Sequence, residues 1–563
     1  MNENELSALI FSTFNVEVQA KLTRPDPQFG DYATNIALQL AGKLGRAPRD
    51  IAEELAEKLR QTGKFSEVTI ADPGFINVRV SGRALAEQLE ANWSDHYGEN
   101  QDGAGKTVIV EYPSPNMAKP YSVGHLRPGN QGWAAKRLME ATGWHVITDN
   151  HLGDYGAPFG IWVTGFLKFS SEEQLEKGGV YELGRVYMET RKALKEEAAR
   201  GDHDLADGVQ DWLLKLEQGD EEAVHYSKRF NEISLAHIHQ VMQRLHISTD
   251  YEYGEAFFAP KGKAAVQELL EKGVAKQNDD GSVIVPLDEF GFDVPLLVQK
   301  SNGAALYATT DLATILFREQ EFHPNRVIYA VGAEQQFYFS QLFAMAKKLG
   351  IHTELIHLWF GVIDQLNEDG TREKMSSRKG VVLMEELLDE AEKHARIVVE
   401  GRDVSDEDVK KIALGAIKFS DFTADRRTNI LFSWDSIFAL TGFSGPYVQY
   451  AAVRVNKILN DFGVESVELV PGYNYEPEKA VVAKLLEYPN VVRAAASDIE
   501  PHKVAGFLYE LARELNRYYE ATPVATGDVT DEEKQARLGL LHKASQVFAH
   551  GLSLLGIEVP GRM

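Results

Sequence analysis

At 563 residues the chain is too long for one hydrophobic core, and roughly three or four domains are expected. Its 44% hydrophobic and 25% charged residues exclude a largely disordered chain, and the absence of cysteine excludes disulfides, thiolate-bound zinc and thiol nucleophiles. A net charge of −25 argues against indiscriminate nucleic-acid binding, because phosphate attraction follows local Lys and Arg density, but it leaves room for one shaped polyanion admitted by basic strips.

The acidic start Met1-Asn2-Glu3-Asn4-Glu5 lacks the basic and apolar regions of a signal peptide, and no apolar run reaches the roughly 18 to 20 residues that span a bilayer. A cytoplasmic protein without a membrane partner is expected. A helical stretch over 33–61 and the alternating runs Val68-Thr69-Ile70 and Phe75-Ile76-Asn77-Val78-Arg79-Val80 predict a small α+β domain over 1–100. After the turn at 103–106, the strand-like run 107–112, a Pro/Asn/Gly loop, a helix over 131–142 and a strand at 145–147 predict a parallel nucleotide-binding sheet in a domain over 101–395. A charged, helix-periodic insertion is expected at about 170–245. Strand-like pieces at 283–285, 305–309 and 326–331 then predict a second half of the sheet. From 396 to 563 helical patterns dominate, densest in apolar and aromatic residues at 447–455, and a helical bundle is expected. The fold class is therefore multidomain α/β: a Rossmann-like parallel-sheet domain with a helical insertion, a small N-terminal α+β domain and a C-terminal helical bundle.

Two loops carry the chemistry. Ser114-Pro115-Asn116-Met117-Ala118-Lys119-Pro120-Tyr121-Ser122-Val123-Gly124-His125-Leu126-Arg127 joins a predicted strand to a predicted helix, where backbone N–H groups and the helix dipole face an anion, Gly124 allows close approach, and Lys119 and His125 are placed to stabilise phosphate charge. Glu373-Lys374-Met375-Ser376-Ser377-Arg378-Lys379-Gly380 follows the turn-forming Asn367-Glu368-Asp369-Gly370, and its cations and hydroxyls suit a closing grip on a triphosphate. Alone, each also reads as an ordinary turn, the first with His125 capping or packing a helix, the second solvated and basic.

Together the loops resemble the HIGH and KMSKS signatures of class I aminoacyl-tRNA synthetases, in that order. Within the class, Glu111 through Arg127 and Asn150-His151-Leu152-Gly153-Asp154-Tyr155-Gly156 are similar to the arginyl-tRNA synthetase family. So are Gly30-Asp31-Tyr32-Ala33-Thr34-Asn35 and Pro73-Gly74-Phe75-Ile76-Asn77, which look like its N-terminal tRNA-binding domain, and Gly445-Pro446-Tyr447-Val448-Gln449-Tyr450-Ala451 and the tail Leu554-Leu555-Gly556-Ile557-Glu558-Val559-Pro560, which look like its anticodon-binding domain.

The resemblance implies ATP-dependent attachment of arginine to its tRNA through an arginyl-adenylate, with activation that needs bound tRNA. It implies catalytic roles for His125, Lys119, Ser122, Lys374, Ser376 and Lys379, and ATP binding by Gly124, His125, Lys119, Met375 and Ser377. Arginine binding falls to Glu111, Asn116, His151, Tyr307, Asp311 and Gln335, since a planar guanidinium rewards buried carboxylates. Tyr307 and Asp311, four apart, become neighbours if a helix begins there. Asn35, Phe75, Tyr447, Gln449 and Arg454 are the tRNA candidates, with Tyr447 and Tyr450 open to base stacking or to packing the bundle core. Mg²⁺ is expected on the ATP phosphates, with no metal site on the protein, no editing domain and a monomeric state.

The chain departs from the family pattern at four places. Ser122 stands where the first His of HIGH is usual, Ser377 where many class I enzymes have a second Lys, Pro128 where a small hydroxyl residue is usual, and Pro158 where Gln is expected. Lys119 is expected to stand in for the missing Lys. Two readings from other classes stay open: a noncatalytic tRNA-binding paralogue, motivated by Ser122 and Pro128, and a small-molecule nucleotidyltransferase with the same sheet and Gly-His loop. Retention of Lys119, His125 and Lys374 speaks against the first, and the two flanking tRNA-binding-like regions against the second.

Overall fold

A computed structural model of the chain describes residues 3–563 apart from 24, 27, 303–305, 367–369, 376–381 and 525–526, with the backbone alone at 157 and 217. It divides into two compact units, one holding 1–98, 450–491 and 507–550, the other 99–449, 492–506 and 551–563.

In the first unit, strands Tyr32–Thr34, Phe65–Ala71 and Phe75–Val80 form an antiparallel sheet with the last of them central. The stretch 33–61, expected as one helix, is the end of a strand followed by helices Ile36–Leu44 and Pro48–Gln61. The reason is local. Gly45 takes a left-handed φ of 63° and its N–H closes onto the Ala41 carbonyl, while Pro48 opens the next helix in the first turn, where its missing N–H goes unused. Ile51, Leu55 and Leu59 pack with Ile36 and Leu40 against Val68, Ile76 and Val78. In the helices that share this unit, the fully buried Glu478 accepts hydrogen bonds from Tyr518 Oη and Arg537 Nε, both at 3.1 Å.

The second unit is built on a four-stranded, wholly parallel sheet in the order Glu354–His357, Arg326–Tyr329, Thr107–Glu111, His145–Asp149. The chain leaves Thr107–Glu111 through helix Leu126–Ala141 to the strand on one side, then returns through helix Tyr307–Glu321 to the strand on the other. The direction of winding therefore reverses beside Thr107–Glu111, and at such a switch point the carboxyl ends of adjacent strands part into a crevice. Register places Glu111 opposite both Asp149 and Tyr329 at that edge. Between the halves, helices Glu172–Arg200, Asp204–Glu217 and Glu221–Arg244 form the expected helical insertion.

Two strand expectations change, and one strand is added. Val283–Val285 joins a separate antiparallel sheet with Lys276–Gln277 and Leu296–Gln299. The run 305–309 is a helix start rather than a strand from Tyr307 onward, stabilised where Leu306 N–H donates to Thr309 Oγ1 at 2.9 Å, and residue 305 lies outside the described residues. The edge strand Glu354–His357, too short and too polar to stand out in sequence, completes the sheet.

Helix Leu126–Ala141 lies close on the sheet because Gly132 has no side chain. A Cβ there would fall inside the van der Waals shell of Tyr112 Cβ and Cγ. Gly132→Ala is expected to destabilise this unit by about 1–3 kcal/mol through overpacking. Urea denaturation followed by tryptophan fluorescence checks this; an unchanged midpoint would show that the helix accommodates the methyl group.

Candidate active site

A cavity of about 580 Å³ opens at the switch point. One wall is the loop after Glu111, which is held by groups distant in sequence. Ser114 N–H donates to Asn150 Oδ1 at 3.2 Å, Ala118 N–H to Ser234 Oγ at 2.8 Å and Tyr121 N–H to His237 Nε2 at 3.0 Å. The loop ends in a short 3₁₀ turn, Val123–His125, in which Ser122 N–H donates to His125 Nδ1 at 3.2 Å. Since Nδ1 accepts, the ring proton sits on Nε2. Burial pushes the imidazole down to about 4, with a further lowering from the charge of Lys119. At neutral pH His125 is thus an uncharged N–H donor in the cavity wall.

Arg127 follows and does not reach the cavity as a free cation. It is 2% exposed, with Nε on Asp421 Oδ1 at 2.8 Å, Nη1 on the carbonyls of Gly361 and Thr428 at 2.7 and 3.0 Å, and Nη2 on that of Arg426 at 3.0 Å. Gly361 leads into strand Ile363–Leu366, which pairs antiparallel with Arg372–Lys374, the start of the second signature. Arg127 therefore fastens the His125 turn to the base of the Lys374 strand. Lys374 and Met375 line the cavity, and Met375 N–H donates to the Ile363 carbonyl at 2.8 Å.

Another part of the lining is acidic and aromatic. Tyr307, 68% exposed, and Asp311 stand one turn apart at the start of helix Tyr307–Glu321, as their spacing predicts. Tyr338 Oη donates to Asp311 Oδ2. Glu255 opens helix Glu255–Glu271 and faces the same space. Burial first, then the charges of Asp311 and Asp154, push Glu255 up to about 8, and burial likewise raises Asp311 and Asp154. Several carboxylates that burial drives toward protonation mark a place where an external cation would be welcome. His151 stacks on Phe258 with ring centroids 5.6 Å apart.

Residues 89–434 match the family of class I tRNA synthetases (R), catalytic domain, residues 448–563 the DALR anticodon binding domain, and residues 3–80 the arginyl tRNA synthetase N terminal domain. The arginine–tRNA ligase of Fusobacterium nucleatum is 33% identical over 546 residues, covering 95% of this chain and 94% of that one. That of Chloroflexus aurantiacus is 34% identical over 579 residues, covering 100% and 98%. The chain belongs to the arginyl-tRNA synthetase family. The solved arginyl-tRNA synthetase of Thermus thermophilus, 23% identical, shares the fold with a TM-score of 0.75 over all of both chains, and that of Plasmodium falciparum, also 23% identical, with 0.73 over 100% of this chain and 98% of that one.

In this synthetase the cavity gathers Glu111, Asn116, Gly124, His125, His151, Tyr307, Asp311, Gln335, Lys374 and Met375 from the sequence-based candidates. Lys119 and Ser122 do not line it. Lys119 Nζ lies over the Tyr187 ring, 4.8 Å from its centroid, and burial followed by the Arg191 charge lowers its pKa. Ser122 is spent on His125. Ser376, Ser377 and Lys379 lie outside the described residues. Pro128 and Pro158 both fall in the first turn of a helix, where the lost N–H has no intrahelical partner.

Of the tRNA candidates, Phe75 is 39% exposed, Asn35 accepts from Gln39 Nε2 at 2.9 Å, and Arg454 is exposed with its guanidinium 4.3 Å from the centre of the Tyr519 ring. Tyr447 is half-buried, and Tyr450, 37% exposed, is the more open of the two tyrosines. Gln449 corrects the expectation. It is fully buried, and its Nε2 donates to the carbonyls of Lys411 and Glu558 at 3.0 and 2.9 Å, so it ties two backbone segments together instead of meeting RNA. Sequence reading missed Glu255, Arg127's anchoring role, Ser234 and His237, all of which act through partners more than a hundred residues away or through the fold itself.

The tautomer and charge of His125 are directly measurable. Nitrogen-detected NMR of imidazole-labelled protein is expected to show Nε2–H and no titration of this ring above pH 5; a ring that titrates near pH 6.5 contradicts the buried, Ser122-bonded geometry.

Proposed function

We propose that the cavity takes arginine at its Asp311–Glu255 wall and ATP, as its magnesium complex, at the wall formed by Gly124, His125, Lys374 and Met375. The observation that carries this reading is that Gly124 and His125 of the first signature, Lys374 and Met375 of the second, and the acids Asp311 and Glu255 line one cavity. The arginine carboxylate attacks the α-phosphorus in line, pyrophosphate leaves, and a ribose hydroxyl of the terminal adenosine of tRNA then displaces AMP from the arginyl-adenylate. No covalent bond to the protein forms at any step. Catalysis comes from positioning and charge stabilisation. The neutral Nε2–H of His125 donates to phosphate oxygen as charge gathers there, Lys374 and Lys379 neutralise the triphosphate with Ser376 donating to it, and Lys119, which does not line the cavity, adds its charge at longer range; Ser377 contacts the nucleotide, and Ser122 acts through His125. Asn116, His151, Tyr307 and Gln335 orient the amino acid. Asn35, Phe75, Tyr447 and Arg454 contribute to tRNA binding, with 1–100 and 396–563 as the RNA-binding parts and 101–395 as the catalytic part. The enzyme acts as a cytoplasmic monomer; among the described residues no helix is long and apolar enough to cross a membrane.

Charging of tRNA with radiolabelled arginine tests the reading, and pyrophosphate exchange with and without tRNA tests the order of events. Arginine-dependent charging, with exchange only when tRNA is present, is expected; tRNA binding without charging would favour a noncatalytic paralogue, and exchange unaffected by tRNA would contradict the dependence.

The acidic wall also predicts a pH profile. A guanidinium needs Glu255 ionised, and with its pKa near 8 protons compete with arginine below that value. The KM for arginine is expected to fall as pH rises from 6 to 8, by at most about tenfold per pH unit for one displaced proton, and Glu255→Gln to flatten that dependence. A flat wild-type profile would remove Glu255 from the arginine site.

A further inference from the structure

Glu111 lines the cavity, yet one of its oxygens is already taken. Arg318, 2% exposed, donates through Nη2 to Glu111 Oε2 at 2.7 Å and to Asp149 Oδ2 at 2.6 Å. It rises from the helix that delivers Asp311, seven residues further on and so on the same face. The groups facing Glu111 come from every element around it: Asp149 on one neighbouring strand, Tyr329 on the other, Asp311 and Arg318 on the helix, and His151 in the loop. Oxygens of Glu111 and Asp149 and a ring nitrogen of His151 lie within 4.8 Å of one another. Two buried carboxylates at that separation repel, and a cation between them offsets the repulsion. Arg318 is that cation, with its guanidinium carbon 5.5 Å from the centre of the Tyr329 ring.

We infer that Arg318 is a positioning residue for arginine recognition, an internal guanidinium that holds Glu111 by one oxygen and leaves the other oxygen to the substrate. The inference rests on the reading of the cavity as the arginine site. It divides labour among the acids there. Glu111 and Asp149 each hold Arg318 directly, whereas Asp311 takes a hydrogen bond from Tyr338 and makes no direct ion pair with Arg318.

The test is charging kinetics of the full-length enzyme with arginine and ATP varied in turn, between pH 6 and 8.5, for wild type, Arg318→Lys and Arg318→Gln. Arg318→Gln is expected to raise the KM for arginine about tenfold or more at pH 7 and to leave the KM for ATP within about twofold. Arg318→Lys, which keeps the charge, is expected to fall between the two enzymes. Equal changes in both KM values, or a lower kcat with an unmoved arginine KM, would make Arg318 a packing residue and overturn the inference. Should circular dichroism show Arg318→Gln unfolded, Arg318→Lys decides: a raised arginine KM with an unmoved ATP KM supports the inference, and two unmoved KM values overturn it. Wild type that charges no tRNA with arginine would instead overturn the reading of the cavity itself.

Discussion

Arg127 stands just beyond His125, its guanidinium sealed from solvent between Asp421 and the carbonyls of Gly361, Thr428 and Arg426. A buried cation tolerates that environment only while its partners stay in place, and breaking such a set typically costs about 3–5 kcal/mol. The turn that presents His125 and the strand that presents Lys374 are therefore fixed to one another by the same group. His125 and Lys374, more than two hundred residues apart in sequence, line one cavity with this guanidinium holding their two segments together.

On that frame the crevice at the carboxyl edge of the sheet is lined by groups of opposite character. Burial lowers the proton affinity of His125 and raises that of Glu255 and Asp311, so desolvation leaves a neutral donor and acids that favour a cation along one cavity. On the proposed reading, a substrate with a cationic side chain and an anionic carboxylate matches both kinds of group. On the same reading, a lysine side chain, a point charge without the planar fork, would leave part of the Asp311–Glu255 lining unsatisfied. The backbone N–H of Ser122 fixes the tautomer of the histidine that remains in the signature.

Much of this was legible in sequence because it is encoded locally. The strand, Gly-His loop and helix over 107–141 follow from β-branched runs, Pro/Gly punctuation and helix periodicity, and the spacing of Tyr307 and Asp311 already places them on one helical face. The antiparallel N-terminal sheet was partly legible for the same reason. What escaped is tertiary. Glu354–His357 is a strand only because a partner strand is there to receive it, and Val283–Val285 reads as a strand without saying which sheet it joins. The run at 305–309 has strand-like residues, but the Thr309 hydroxyl closes a helix N-terminus around Leu306. Burial of Gln449 and the pairing of Glu111 with Arg318 depend on residues far along the chain, and no local pattern announces them. Glu255 looks like an ordinary helix-opening acid until the fold sets it beside Asp311.

The central claim is that one crevice holds the guanidinium and the α-phosphate at its two ends. A crystal structure with a nonhydrolysable sulfamoyl analogue of arginyl-adenylate tests it most directly. The account predicts the guanidinium within hydrogen-bonding distance of Asp311 and Glu255 and the sulfamoyl group beside His125 Nε2. An analogue bound with its guanidinium pointing out to solvent, or seated away from the His125 and Lys374 walls, would contradict it.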